Sequence, residues 1–143
     1  MSYHYASSEL IQVLNILIDK DNNELNNILV INRIANCWDT NLATSLMQKM
    51  KDENMKPKCM ADLLEMLLDH GDDRASDFAK PLIGLPLPND DEKRLRTIFS
   101  ATALMLYISD ADWIFLWPLM RQDKKFGREI VERVHRGATD QVA

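Results

Sequence analysis

Hydrophobic residues recur along this chain with the spacing of amphipathic helices. In the first such segment they follow one another three or four positions apart, at Leu10, Val13, Leu14, Leu17 and Ile18. This spacing places them on one face of a helix. It recurs in segments at about 24–38, 40–50, 58–70, 73–83, 91–107, 110–120 and 123–136. Since no alternating run bounded by hairpin turns interrupts the pattern, it predicts an all-α protein of about eight helices.

Polar residues, glycine and proline mark the expected helix ends. The run DKDNN at 19–23 predicts a turn, and Gly71 and Gly137 are placed to stop the helices before them. The segment LPLPN at 85–89 predicts an extended connector, because a residue before proline is pushed out of the helical region. Pro118 lies inside a predicted helix and predicts a kink or an early end.

The length of 143 residues is that of one domain. We therefore predict a single helical-repeat domain over 1–143, with a loose lead-in at 1–7 and a disordered tail at 137–143.

Two of the three tryptophans lie close together in the second half of the chain. Trp113 and Trp117 are four positions apart, so they share one face of the predicted helix with Ile114 and Met120. They are either an exposed pair that binds a partner or, the interpretation we prefer, a buried pair in the core. Burial or half-burial is predicted for six large side chains on the apolar stripes: Trp38, Phe99, Leu104, Trp113, Trp117 and Phe126.

One internal repeat is visible. The segment FAKPLI at 78–83 is similar to FLWPLM at 115–120, and each follows a Leu/Met-rich helix and an acidic turn. Paired helices with a period near 40 residues are typical of a HEAT-like α-solenoid. Because only two units show the repeat, a compact helical bundle is the alternative.

Composition narrows the class of protein without naming a reaction. The net charge of −5 argues against broad nucleic-acid binding, which requires a dominant positive field. No apolar run reaches the ~18 residues of a membrane span, and the first residues lack the basic-then-apolar pattern of a signal peptide. Cys37 and Cys59 have no metal-ligand spacing and are expected to be reduced, buried thiols. We therefore expect a cytoplasmic protein.

No set of residues predicts a catalytic or cofactor site. None of the four glycines heads a phosphate-binding loop. Glu132 and His135 have the spacing of a di-iron motif, but such a site needs a second motif and further carboxylates. The acidic turns at 69–73 and 90–92 suit a divalent cation and, equally, helix N-termini. We predict no enzymatic activity, no metal and no cofactor, with a small metal-binding or nucleic-acid-binding protein as the alternative.

Basic residues concentrate near the C-terminus. Six cations lie between 121 and 136, against three acidic residues. They form either the solvated face of the last helix or an edge that binds an acidic partner or a nucleic-acid backbone. We predict a protein partner, no membrane association, and a contact edge, hereafter the basic edge, that consists of Arg121, Lys124, Lys125, Arg128, Arg133 and Arg136.

The second half of the chain resembles a known class of repeats. From about Met60 to His135 it is similar to the HEAT-like helical repeats of bacterial NACHT-type NTPases, which are signalling and defence proteins of the STAND class. The most specific pieces are FAKPLIGLPLP, DADWIFLWPLM and DKKFGREIVE. In that family the repeats follow the NTPase and serve as sensor or scaffold. The resemblance therefore implies a non-enzymatic interaction module, either a fragment or a partner of such an NTPase. The phosphate-binding loop of the NTPase is not found in this sequence.

Overall fold

The computed structural model describes residues 8–24, 38–107 and 109–142, with the backbone alone from 137 onwards. These residues contain no β-strand and form seven α-helices: α1 (Ser8–Glu24), α2 (Thr40–Met50), α3 (Pro57–Asp69), α4 (Asp73–Ala79), α5 (Asp91–Leu106), α6 (Asp110–Gln122) and α7 (Lys124–Val142). The predicted all-α class is confirmed. The lead-in at 1–7, Cys37 and most of the helix predicted at 24–38 lie outside the described residues.

The chain divides into two compact units, Met1–Asp72 and Asp73–Ala143. The first contains α1, α2 and α3, and the second contains α4 to α7 with a 3₁₀ turn (Lys80–Leu82) after α4. The single helical-repeat domain, whether solenoid or bundle, stays a prediction.

The core of the first unit is built around α3. Met60, Leu63, Leu64 and Leu67 are completely buried, and their spacing is that of the predicted apolar stripe. Pro57 occupies the first turn, where its missing N–H costs nothing. Gly71, with a φ of +75°, follows the helix and ends it in the left-handed conformation that glycine adopts at low cost.

Helix α1 continues through the polar run at 19–23, so the predicted turn is wrong. Asn22 is buried because its side-chain amide binds the connection between α2 and α3: it donates to the carbonyl of Asn54 at 3.1 Å and accepts from the N–H of Lys56 at 2.8 Å. Asp19 pairs with Lys49 of α2 at 2.7 Å. The polar residues therefore join α1 to its neighbours instead of ending it.

Helix α5 is the centre of the second unit. Asp90 caps it by accepting from the N–H of Lys93 at 2.9 Å, as predicted. Thr97 donates to the carbonyl of Leu82 at 2.8 Å and fixes the 3₁₀ turn against α5. The buried face is wider than the predicted stripe, because α5 contacts α4, α6 and α7. It includes small residues at Ser100, Ala101 and Ala103.

Helices α6 and α7 meet at a tight corner. Asp123 caps α7 by accepting from the N–H of Phe126 at 3.1 Å. A Cβ at Gly127 would stand 3.0 Å from the carbonyl oxygen of Met120, so the glycine permits the close approach of the two helices. Gly137 does not end α7: the backbone is helical to Val142, where a disordered tail was expected.

Candidate protein-binding surface

The structure places the basic edge at the end of α6 and along α7. Arg133 is half-buried, with its guanidinium 3.3 Å from the carboxylate of Glu129 and 5.1 Å from the ring centroid of Phe99. It is therefore engaged within its own unit. The other five cations are exposed: Arg121, Lys124, Lys125, Arg128 and Arg136. Partner binding by this edge stays a prediction.

Helix α6 presents its two tryptophans to solvent. Trp113 and Trp117 are 42% and 45% exposed, and Ile114 is 73% exposed. The prediction that the tryptophan pair is buried or half-buried is therefore wrong, and the exposed pair is the arrangement found. The buried side of α6 carries Asp112, Leu116 and Met120 instead.

The other large side chains lie where the apolar stripes predicted them. Trp38 and Phe99 are half-buried, whereas Leu104 and Phe126 are fully buried. Trp38 stacks on His70 with ring centroids 3.8 Å apart. The error in the burial prediction is thus confined to α6.

A buried polar cluster explains why α6 faces this way. The hydroxyl of Ser76 donates to Asp112 Oδ1 at 2.8 Å, and Lys80 Nζ lies 3.2 Å from the same oxygen. A carboxylate removed from water is costly unless it is hydrogen-bonded and paired. Asp112 can therefore be buried only where α4 and the 3₁₀ turn supply these partners. That requirement orients α6 and leaves the tryptophans outside.

The two exposed indoles stack on each other. Their ring centroids are 5.2 Å apart and their planes differ by 20°. Each ring restricts the motion of the other, so little side-chain entropy remains to be lost when a partner covers them. The surface continues along the helix on both sides of the indoles. We define the α6 face as six of the exposed residues of this helix: Asp110, Trp113, Ile114, Trp117, Pro118 and Arg121.

Sequence reasoning missed the role of Asp112. The cap of α6 is Ser109, whose side chain accepts from the N–H of Asp112 at 3.2 Å. One signal was present in the sequence. Asp112 lies four positions before Leu116, so the two side chains share one face of the helix.

Two described ionisable groups of the first unit, Cys59 and Glu65, have raised pKa values. Burial raises the pKa of the Cys59 thiol, and the nearby Asp62 raises it further. This thiol therefore stays protonated and is a weak nucleophile at neutral pH. Among the described residues, no group of three His, Cys, Asp or Glu side chains could hold a metal ion.

The acidic turn before α5 is explained by helix capping and local pairs. Asp90 is the cap, Asp91 lies 3.3 Å from Arg94, and Glu92 lies 3.2 Å from Arg96. Carboxylates in a first helical turn also interact favourably with the helix dipole. These contacts account for the acidic residues without a cation.

Comparison of the chain with known protein families, with curated proteins and with solved structures finds no match. Of the helices that the structure describes, none has both the length and the apolar character needed to cross a membrane.

Proposed function

We propose that this chain is a non-enzymatic helical interaction module that binds a protein partner through the α6 face. The observation that supports the proposal is the exposure of Trp113 and Trp117 beside Ile114. Tryptophan is the residue most enriched among those that dominate binding energy at protein interfaces. Large apolar side chains that share one exposed patch are typical of binding surfaces.

The energy available from this surface is substantial. A tryptophan presents up to about 250 Å², and the α6 indoles keep nearly half of their surface in water. Covering that fraction would contribute about 2–3 kcal/mol for each indole at about 25 cal/mol per Å². This contribution is in the range that defines a binding hot spot.

The basic edge gives the surface a charge preference. Lys124, Lys125 and Arg128 are exposed and form no ion pair among the described residues. They follow α6 directly in the chain, after the cap at Asp123. Exposed charges of this kind act mainly on the association rate and its salt dependence. We therefore expect the partner surface to be acidic where it meets this edge.

The resemblance to HEAT-like repeats supports a proposal about the larger system in which the module acts. It favours a sensor, scaffold or partner role beside a NACHT-type NTPase in a bacterial signalling or defence system, with the helices arranged as an α-solenoid. An NTPase reading frame adjacent in the genome would support this part of the proposal.

Partner capture with matched variants tests the function. The bait is the full chain as wild type, as Trp113→Ala/Trp117→Ala, or as Lys124→Glu/Lys125→Glu/Arg128→Glu. We expect the tryptophan variant to lose a partner that the wild type recovers, and the charge variant to recover less of it at low salt.

Ile16→Ala is the control for this experiment. Ile16 is 66% exposed on α1, so the change removes exposed apolar surface from a different helix. It should leave recovery of the partner unchanged. Equal recovery by the wild type and the tryptophan variant would show that the α6 face does not bind the partner.

A further inference from the structure

We infer that the α6 face binds a second copy of this chain, with the two α6 helices packed antiparallel about a two-fold axis. The inference rests on the proposed function, because it names the partner of the same surface. The argument is that the α6 face is complementary to itself when it is reversed.

The complementarity follows from positions along α6. A two-fold axis that passes between Phe115 and Leu116 places each residue of the α6 face opposite another residue of that face. In a two-fold interface both copies use the same patch, so such reciprocal pairs are required. All six residues are exposed. The axis pairs Asp110 with Arg121, Trp113 with Pro118, and Ile114 with Trp117.

The charges of the face favour the antiparallel orientation. Asp110 and Arg121 lie at opposite ends of α6, eleven positions or about 16 Å apart along the axis. Neither side chain forms an ion pair among the described residues, although both are exposed. An antiparallel second copy brings each carboxylate to a guanidinium, twice in one dimer. A parallel copy would bring like charges together, which is unfavourable.

The centre of the interface would be apolar. Ile114 of one copy would pack on the indole of Trp117 of the second copy, and Trp113 on the ring of Pro118 of the second copy. Proline rings are common partners of aromatic surfaces in protein recognition. Two charge pairs would lie at the ends of this apolar centre. An apolar centre within a polar rim is the usual anatomy of a protein interface.

The dimer should be weak, because the face is that of one short helix. Stable interfaces cover about 800 Å² on each partner, and smaller ones form transient complexes. The 16.5 kDa chain should therefore be monomeric when dilute and approach twice that mass as concentration rises.

Sedimentation equilibrium with exchanged charges tests the inference. Asp110→Arg leaves a basic residue at both ends of the face, and Arg121→Asp leaves an acidic residue at both ends. Each variant alone should remain monomeric at concentrations where the wild type dimerises. Mixing the two variants creates opposite charges at both ends, so dimers should return, as they should in Asp110→Arg/Arg121→Asp.

The mixture also controls for folding, since misfolded chains would not be rescued by mixing. Lys93→Asp, an equal charge change at an exposed position on α5, should dimerise like the wild type. A wild type that stays at 16.5 kDa at the highest concentration would overturn the inference. Single variants that dimerise normally, or a mixture that stays monomeric, would overturn it as well.

These results are separable from failure of the proposed function. A monomeric wild type whose tryptophan variant still loses a captured partner would leave the α6 face as a surface for another protein. If the tryptophan variant captured the partner as well as the wild type does, the proposed function itself would be contradicted.

Discussion

Helices α3 and α6 have the same length of 13 residues and opposite relationships to solvent. Helix α3 buries its large apolar residues, including Leu64 and Leu67, and leaves its charged residues exposed or half-buried. Helix α6 buries an aspartate, Asp112, and exposes Trp113 and Trp117. In α3 the apolar stripe builds a core, whereas in α6 the largest apolar residues remain available for binding.

The difference arises from polar contacts. In α3 the large apolar residues lie on one face, so the burial of apolar surface is enough to favour one orientation of the helix. In α6, apolar residues lie on both sides of the helix, so the burial of apolar surface does not favour one side over the other. The bonds from Ser76 and Lys80 to Asp112 stabilise one of the two orientations. An exposed apolar patch therefore persists because the opposite face makes specific polar contacts.

The largest expected effect lies in α3. Leu67→Ala removes a fully buried side chain and leaves a cavity, so it should lower the free energy of unfolding by about 2–5 kcal/mol. Chemical denaturation measures this change. Leu68→Ala, at a half-buried position on the same helix, is the control and should cost less.

The second-largest expected effect tests the contacts that Asp112 makes with Ser76 and Lys80. Asp112→Ala leaves the hydroxyl of Ser76 and the ammonium of Lys80 without their partner, and should cost about 1–3 kcal/mol. Asp110→Ala removes a carboxylate from the same helical turn at an exposed position. It should cost about 0.3–1 kcal/mol through the helix dipole alone. Equal losses in the two variants would show that the cluster does not hold α6.

Much of the fold was predictable from the sequence, because helix periodicity and end signals are local. The all-α class, the cap at Asp90 and the stop at Gly71 depend only on nearby residues. The orientation of α6 was not predictable in this way, because it depends on Ser76, which is 36 positions from Asp112. The α1 error has the same cause: Asn22 bonds to residues more than 30 positions away.

The third prediction separates binding from stability. Because nearly half of the Trp117 side chain is exposed, Trp117→Ala should cost less than the roughly 3–5 kcal/mol that is lost when a fully buried tryptophan is truncated. Thermal or denaturant unfolding of dilute protein measures it. A loss of several kcal/mol would place the indole in the core and would remove the contrast with α3.

The smallest effect concerns pH and lies in α3. Burial, and secondarily Asp62, raises the pKa of Glu65 above its ordinary value of 4.5. Between the unfolded and folded pKa values the folded chain binds more protons. The free energy of unfolding therefore falls as pH rises through this window, and the loss is complete above the folded pKa.

Glu65→Gln removes this half-buried charge. The variant should be more stable than the wild type at neutral pH and should lack this part of the pH dependence. Unfolding at pH 4 and pH 7 measures both. The exposed change Glu53→Gln is the control. A wild type whose stability rises through the window would contradict the assignment to Glu65.

The most direct measurement of the central claim is fluorescence quenching of dilute Trp38→Phe protein, in which only Trp113 and Trp117 emit. If the α6 face is exposed, the emission should resemble that of indole in water, and acrylamide should quench it efficiently. Blue-shifted emission that is protected from acrylamide would place the two tryptophans in the core and would contradict the account.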